Sequence, residues 1–346
     1  MSRIFLFCLS LLLLGCGSSD EDKVKFAITG AEVFLNTMSC TEALTELNKV
    51  GVQNTNARYL QTLASAYACK ADYQESVLYD NFVSAFTSAG AGEINFGIFT
   101  NFSTSVKMTS ADDIDFLNLQ KGIDTLLYAG GLSTSNNPSA ESRDTIFGSD
   151  DALNINFQLF YMIIDQISKY SYYYGCYDGS SNTKGSGTAR SDCSNSNDCF
   201  ANYANYTFSS AYGGASDLSG YLGRGLTGSC TGLSAGHTDL AATNGAYSTV
   251  QVSRLCEGVV LVNNFREVFQ SALTKISSTL QEPLKTELNH INDKINDLVT
   301  ASSTIGISDV ATTLSQSLCE SSFGANSTEK AKLGAFFVLF FETLFR

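Results

Sequence analysis

Only two of the 346 residues are proline, Pro138 and Pro283, and this scarcity constrains the fold more than any other feature of the chain. Proline breaks helices from within and is at home in turns, so a chain this poor in it favours long helices over a loop-rich β fold. The 44% hydrophobic content is enough for a sizeable core. Tryptophan is absent while 23 phenylalanines and 16 tyrosines are present, so the core is expected to rest on those rings. The apolar periodicity agrees. Ile114, Leu117, Leu119, Ile123, Leu126 and Leu127 mark one amphipathic helix, and residues 153–167 mark a more apolar, buried one. Gly130, Gly131 and residues 133–139 read as loop, with Pro138 at a turn or helix start. Helical signals return from Val250, and residues 259–280 read as one long helix. Pro283 opens the next, with Leu284, Leu288, Ile291, Ile295 and Leu298 at alternating spacings of four and three. That seam is too short for a coiled-coil dimer and reads as internal packing. The nearly continuous apolar run at 334–345 reads as a final core helix.

The N-terminus carries a different signal. After the single charge of Arg3, residues 4–14 are apolar except for Ser10. A bilayer span needs about 20 residues, so this run fits the hydrophobic part of a secretory signal instead. Leu13-Leu14-Gly15-Cys16 resembles the lipobox of bacterial lipoproteins. The resemblance implies removal of residues 1–15 and a lipid on Cys16, and several acyl chains anchor a protein stably. Gly17 rather than Asp after the cysteine resembles lipoproteins sorted to the outer membrane, with the body facing the periplasm or the outside. Residues 16–25 are small and acidic and read as a tether. A formal net charge of −13 disfavours nucleic acid and anionic headgroups as partners. The expected partners are therefore the membrane, through the lipid on Cys16, and an envelope protein.

Eight cysteines remain beyond Cys8 and Cys16: Cys40, Cys69, Cys176, Cys193, Cys199, Cys230, Cys256 and Cys319. An even complement in an exported chain reads as disulfides, and eight cysteines allow 105 pairings. A metal site is the rival reading. It is the weaker one, because no CxxC pair occurs and His237 and His290 are the only imidazoles.

Within 57–86, Leu60, Leu63, Ala64 and Tyr67 share one helix face, Ala71-Asp72-Tyr73 makes a corner, and Ser76, Val77, Tyr79 and Val83 begin a second helix. These residues resemble a tetratricopeptide repeat, with Ala71 where that family usually has Gly. A fainter copy lies 33 residues earlier, in Ala31, Phe34 and Thr41-Glu42-Ala43-Leu44, against a family period of about 34. The alternative is a generic pair of helical hairpins. The repeat resemblance puts Cys40 at a helix corner near the end of the helix holding Cys69, so it implies a Cys40–Cys69 disulfide. It also implies a concave face for protein binding, to which Arg58, Tyr59 and Gln61 would contribute.

At Ser171 the composition shifts to Gly, Ser, Asn and Tyr, and residues 171–249 hold four of the eight cysteines. This stretch reads as a disulfide-stapled excursion from a helical frame that comprises 26–170 and 250–346, with a short helix near 200–212. Tyr172, Tyr173 and Tyr174, beside Tyr170 and Tyr177, are candidate recognition residues; the alternative is that their rings pack against the excursion. Gly232-Leu233-Ser234-Ala235-Gly236 matches the GxSxG of hydrolases, but no apolar strand precedes it and His237 follows too closely. The GxGxxG at 223–228 has no βαβ frame. Asp112-Asp113 reads as helix N-terminal charge, while Asp192 and Asp198 offer oxygens for calcium without the EF-hand pattern.

The expected fold is therefore mostly α, a tetratricopeptide-like array of helical hairpins with a loop-rich excursion. The expected function is that of a non-enzymatic, envelope-anchored protein-binding or scaffold module, with no cofactor. The alternative is a ligand-binding or transport-accessory lipoprotein of the periplasm.

Overall fold

The computed structural model describes residues 19–74, 107–175, 177–178, 183–184, 200, 237, 239–240, 247–276 and 282–342. Several expectations lie outside them: the leader and Cys16, the helix starting at Ser76, Cys176, Cys193, Cys199 and Cys230, both glycine-rich strings, the 192–198 loop, and the 200–212 helix apart from Phe200. Among the described residues the fold is mostly α, with one two-residue antiparallel pair, Tyr177–Asp178 with Thr183–Lys184.

The first helix, α1 (Asp20–Leu35), starts because Ser19 and Asp22 cap each other reciprocally, with Asp20 and Glu21 also acidic in the first turn. It buries Val24, Ala27, Ile28 and Ala31, one helical stripe, against α2 (Cys40–Asn48) and α3 (Ala57–Lys70). Asn56 caps α3 by accepting from the Tyr59 N–H. Both α1 and α3 end on a non-glycine residue in the left-handed region, Met38 at φ 56° and Asp72 at φ 55°. In each case two backbone bonds close the turn: Ser39 N–H to Phe34 O and Met38 N–H to Leu35 O, then Tyr73 N–H to Ala68 O and Asp72 N–H to Cys69 O. Ala71 itself keeps a φ of −90°, so the corner needs no glycine there. The Cys40–Cys69 disulfide is present and ties α2 to α3.

Next come α4 (Ile114–Leu127), α5 (Ala140–Phe147) and the 27-residue α6 (Ser149–Gly175). Asp113 caps α4 by accepting from the Asp115 and Phe116 N–H groups. Burial works against its charge, but these bonds and those from Thr109 hold its carboxyl below the usual range. Gly122 lets α4 approach α3: a Cβ there would lie 2.9 Å from the Ala64 carbonyl oxygen and 2.5 Å from the Met162 methyl. The middle of α6 is buried all round, polar residues included. Arg143 of α5 is fully buried and donates to Asn156 (2.6 Å) and to the Leu127 carbonyl; burial lowers its pKa to about 10.

The core is built on rings, as the composition implies. Against α6 lies α7 (Thr249–Ile276), and between them Phe160, Phe265 and Phe269 stack with centroids 5.3–5.8 Å apart. Gly258 brings these helices close, since a Cβ there would meet Phe337 at 2.7 Å and the Tyr170 hydroxyl at 2.8 Å. The chain continues through α8 (Glu282–Thr304), α9 (Ser308–Ala311), α10 (Gln316–Phe323) and α11 (Ser327–Phe336) into a π-helical turn, Phe337–Glu342. Ile291, Ile295 and Leu298 of the α8 seam are buried. The terminal apolar run is buried through its described part, to Glu342, and Phe336, Phe340 and Phe337, Phe341 form stacked pairs at 4.3 and 4.4 Å. Glu342 is buried with it and accepts from the Phe200 N–H at 2.7 Å. A second disulfide, Cys256–Cys319, joins α7 to α10.

Helix α7 starts at Thr249, one residue before Val250, where helical signals return, and Ser248 and Gln251 form a reciprocal cap there. Two boundaries differ from expectation, the first being that residues 20–25, read as tether, are already the first turns of α1, started by the Ser19–Asp22 cap. Helix α6 runs past Ser171 to Gly175, because Tyr170 and Tyr174, one turn apart, pack inward with Phe341 and His237.

Candidate functional site

Helix α3 packs against α1 on one side and α6 on the other, and the space between those two neighbours is an open groove along α3. Its mid-section, about 470 Å³, is floored by Arg58, Gln61, Thr62 and Ser65 of α3, with Glu32 and Leu35 from α1 and Asn154, Phe157 and Gln158 from α6 as walls. Arg58 and Gln61 also line a larger section of about 1150 Å³, which opens toward Asp20, Lys23, Lys49 and Asp151. In the other direction Glu32, Leu35, Ser65 and Gln158 are shared with a third section of about 570 Å³ that reaches Met38, Cys69 and Tyr73. The groove thus follows residues one helical turn apart on α3, from Arg58 to Cys69.

Two contacts set its shape. The Arg58 guanidinium grips the Glu32 carboxylate through both oxygens, at 3.0 and 2.8 Å, and this pairing holds Arg58 in its charged form. Both side chains are exposed, at 66% and 37%, so the pair is weak in stability terms and open to exchange with a ligand. Opposite, the Gln158 amide donates to the Gln61 carbonyl at 3.1 Å and to the Ser65 hydroxyl at 2.9 Å, fixing α6 to α3. One end of the groove is charged and amide-rich. The other is lined by Leu35, Met38, Phe157 and Tyr73, with the Cys40–Cys69 disulfide beside it.

Of the residues expected on the concave face, Arg58 and Gln61 lie in the groove and Tyr59 does not. Tyr59 is 1% exposed, and its hydroxyl donates to the Leu47 carbonyl at 3.4 Å. One position along a helix turns a side chain by about 100°, which carries Tyr59 to the α2 side. Glu32, Phe157 and Gln158 were not expected there. The signal for Gln158 is a polar residue within the otherwise apolar 153–167 run.

The tyrosines at the end of α6 form a packed cluster. Tyr174 is 1% exposed, against the expectation of a recognition surface, because it falls one turn after Tyr170 on the core face. Tyr173 is half-buried, its ring 4.7 Å from His237; Tyr172 is also half-buried and carries the Lys107 ammonium 4.8 Å above its ring. The Nδ1 of His237 accepts from the Asp239 N–H at 3.1 Å. Nearby, Arg254 bridges Glu257 at 2.7 Å and Asp112 at 2.8 Å. Burial pushes the Glu257 carboxyl up to about 7, against the pull of Arg254, and Glu320 and Asp112 add to the rise. Burial also drives the Tyr174 phenol far above its ordinary value, with Glu257 contributing.

Among the described residues no cluster of His, Cys, Asp and Glu is arranged to hold a metal ion, and no helix is long and apolar enough to cross a membrane. In comparisons with known proteins, no family model, no curated protein and no solved structure matches this chain.

Proposed function

We propose that this chain is a lipid-anchored helical protein that binds a segment of an envelope protein along α3, acting as a non-enzymatic binding or scaffold module. The groove between α1 and α6 carries the reading. The 14 residues of α3 give it a length of about 20 Å, enough for an extended segment of roughly six residues. Side-chain amides and hydroxyls of Asn56, Gln61, Ser65, Asn154 and Gln158 suit the donors and acceptors of a peptide backbone, and Leu35, Met38 and Phe157 suit an apolar side chain. The equivalent closures of α1 and α3 support a repeat origin for this part of the chain. The lipobox at Leu13–Cys16 supports the anchor, and Gly17 an outer-membrane address. Around α6 and α7 the phenylalanine rings stack on one another, which favours a surface groove over an internal apolar-solute cavity as the binding site.

The test is capture of partners from detergent-solubilised envelopes by the tagged chain, in parallel with Ser65→Trp, which fills the groove. A partner retained by the parent and lost with Ser65→Trp supports the reading. Equal retention by both places binding elsewhere and refutes it.

A further inference from the structure

The outer face of α1 carries two large apolar side chains among polar ones. Phe26 is 70% exposed and Val33 is 59% exposed. They lie on one stripe, Asp22, Phe26, Thr29 and Val33, at spacings of four, three and four, and all four are exposed. The buried stripe of α1, Val24, Ala27, Ile28 and Ala31, faces the other way. Val52, 69% exposed, follows α2 in a loop whose neighbours Val50 and Gln53 line the same groove section as Asp20 and Glu21. Exposed apolar residues therefore occur along α1, Phe26 in its first half and Val33 near its end, with Val52 in a loop beside its start.

We infer that this face rests on the bilayer that holds the lipid of Cys16, with Phe26 and Val33 in its interfacial layer; the inference relies on the proposed lipidation. The length of chain decides the occupant. Cys16 stands four residues before Asp20, and four residues reach at most about 14 Å even when fully extended. A lipid at Cys16 thus confines the first turns of α1 to the immediate neighbourhood of the membrane surface. The charges there are compatible with a neutral surface. Lys23 pairs with Asp20 and Lys25 with Glu21, each at 2.8 Å, and Asp22 is engaged in the cap with Ser19. The net charge of −13 opposes anionic lipid, so the contact is apolar and independent of anionic headgroups. Glu32 and Leu35, which line the groove, lie on the other side of α1 from Phe26, so the groove stays open in this pose.

The chain has no tryptophan, which makes the test direct. Full-length, lipidated Phe26→Trp, Val33→Trp and, as a control on exposed α8, Thr300→Trp are reconstituted into phosphatidylcholine vesicles, with and without brominated acyl chains. The expected result is blue-shifted emission and quenching by brominated lipid for Phe26→Trp and Val33→Trp, with Thr300→Trp unaffected. Co-sedimentation with vesicles but water-like, unquenched emission at positions 26 and 33 overturns the inference and leaves the anchor standing. Quenching of Thr300→Trp as strong as that of Phe26→Trp overturns the assignment of this face. Failure to sediment with vesicles overturns the lipid anchor and the inference together.

Discussion

Met38 and Asp72 stand 34 residues apart, both in the left-handed backbone region, and each closes the helix before it with the same pair of backbone hydrogen bonds. The interval is one residue longer than the 33 that relates Ala31 to Ala64; the closing turns are equal in length, Phe34 to Met38 and Ala68 to Asp72, so the extra residue lies before them, in the last turn of α3. A left-handed conformation costs an L-residue about 1–2 kcal/mol, less for Asp, and glycine avoids it. Met38 is 51% exposed and loses little packing when truncated. Met38→Gly is therefore expected to stabilise the chain by up to about 1 kcal/mol, and Asp72→Gly by less, as read from urea unfolding midpoints.

Much of this N-terminal part was legible from the residues. The α1 and α3 faces follow helical periodicity, and the Cys40–Cys69 bridge followed from the resemblance to a tetratricopeptide repeat. Cys256–Cys319 could not be chosen from 105 pairings, because it depends on how α7 meets α10 in space. The same limit applies to the groove. Arg58 and Gln61 could be placed on one helix face, but Glu32 and Gln158 reach them across 26 and 97 residues of chain. The start of α7 at Thr249 is legible beside Val250, because Ser248 and Gln251 cap it where the Gly/Ser-rich composition ends. The sequence leaves Tyr174 open between contact surface and packing, because tyrosine suits both, and only the position of α6 decides for packing.

The two bridges should differ in weight. By loop-closure entropy, Cys40–Cys69, with a separation of 29, contributes about 3.5 kcal/mol, and Cys256–Cys319, with a separation of 63, about 4 kcal/mol. Paired Cys→Ser substitutions should lower stability in that order. Reversal of the order in thermal unfolding would contradict it.

Asn263 and Asn264 anchor the turn before α10. The amide of Asn263 donates to the Val310 and Thr313 carbonyls, and that of Asn264 to the Val260 and Leu314 carbonyls, at 2.8–2.9 Å. Asn263→Ala takes a donor from both carbonyls, of which that of Val310 keeps the Thr313 N–H, and is expected to cost about 1–3 kcal/mol. Thr300→Ala, on the exposed face of α8, should be near neutral in the same unfolding assay.

Stability should fall as pH rises through the weakly acidic range. Burial raises the Glu257 carboxyl from 4.5 to about 7, and burial raises Asp124 from 3.8 to about 6 against a hydrogen bond from Gln120. Between the unfolded and folded values the native state holds protons that the unfolded chain releases, so stability is greatest below about pH 4.5 for these groups and is lost by about pH 7. The Glu257 contribution is on the order of 3 kcal/mol. Glu257→Gln should flatten the decline in melting temperature between pH 5 and pH 8; an unchanged slope would contradict the assignment.

The groove along α3 is the centre of the account, and a photocrosslinking amino acid introduced at Gln61 in living cells tests it most directly. A discrete, ultraviolet-dependent adduct with an envelope protein is expected at Gln61, abolished by Ser65→Trp, and none when the crosslinker is at Thr300. Adducts at Thr300 but not at Gln61, or an adduct at Gln61 that survives Ser65→Trp, would contradict it.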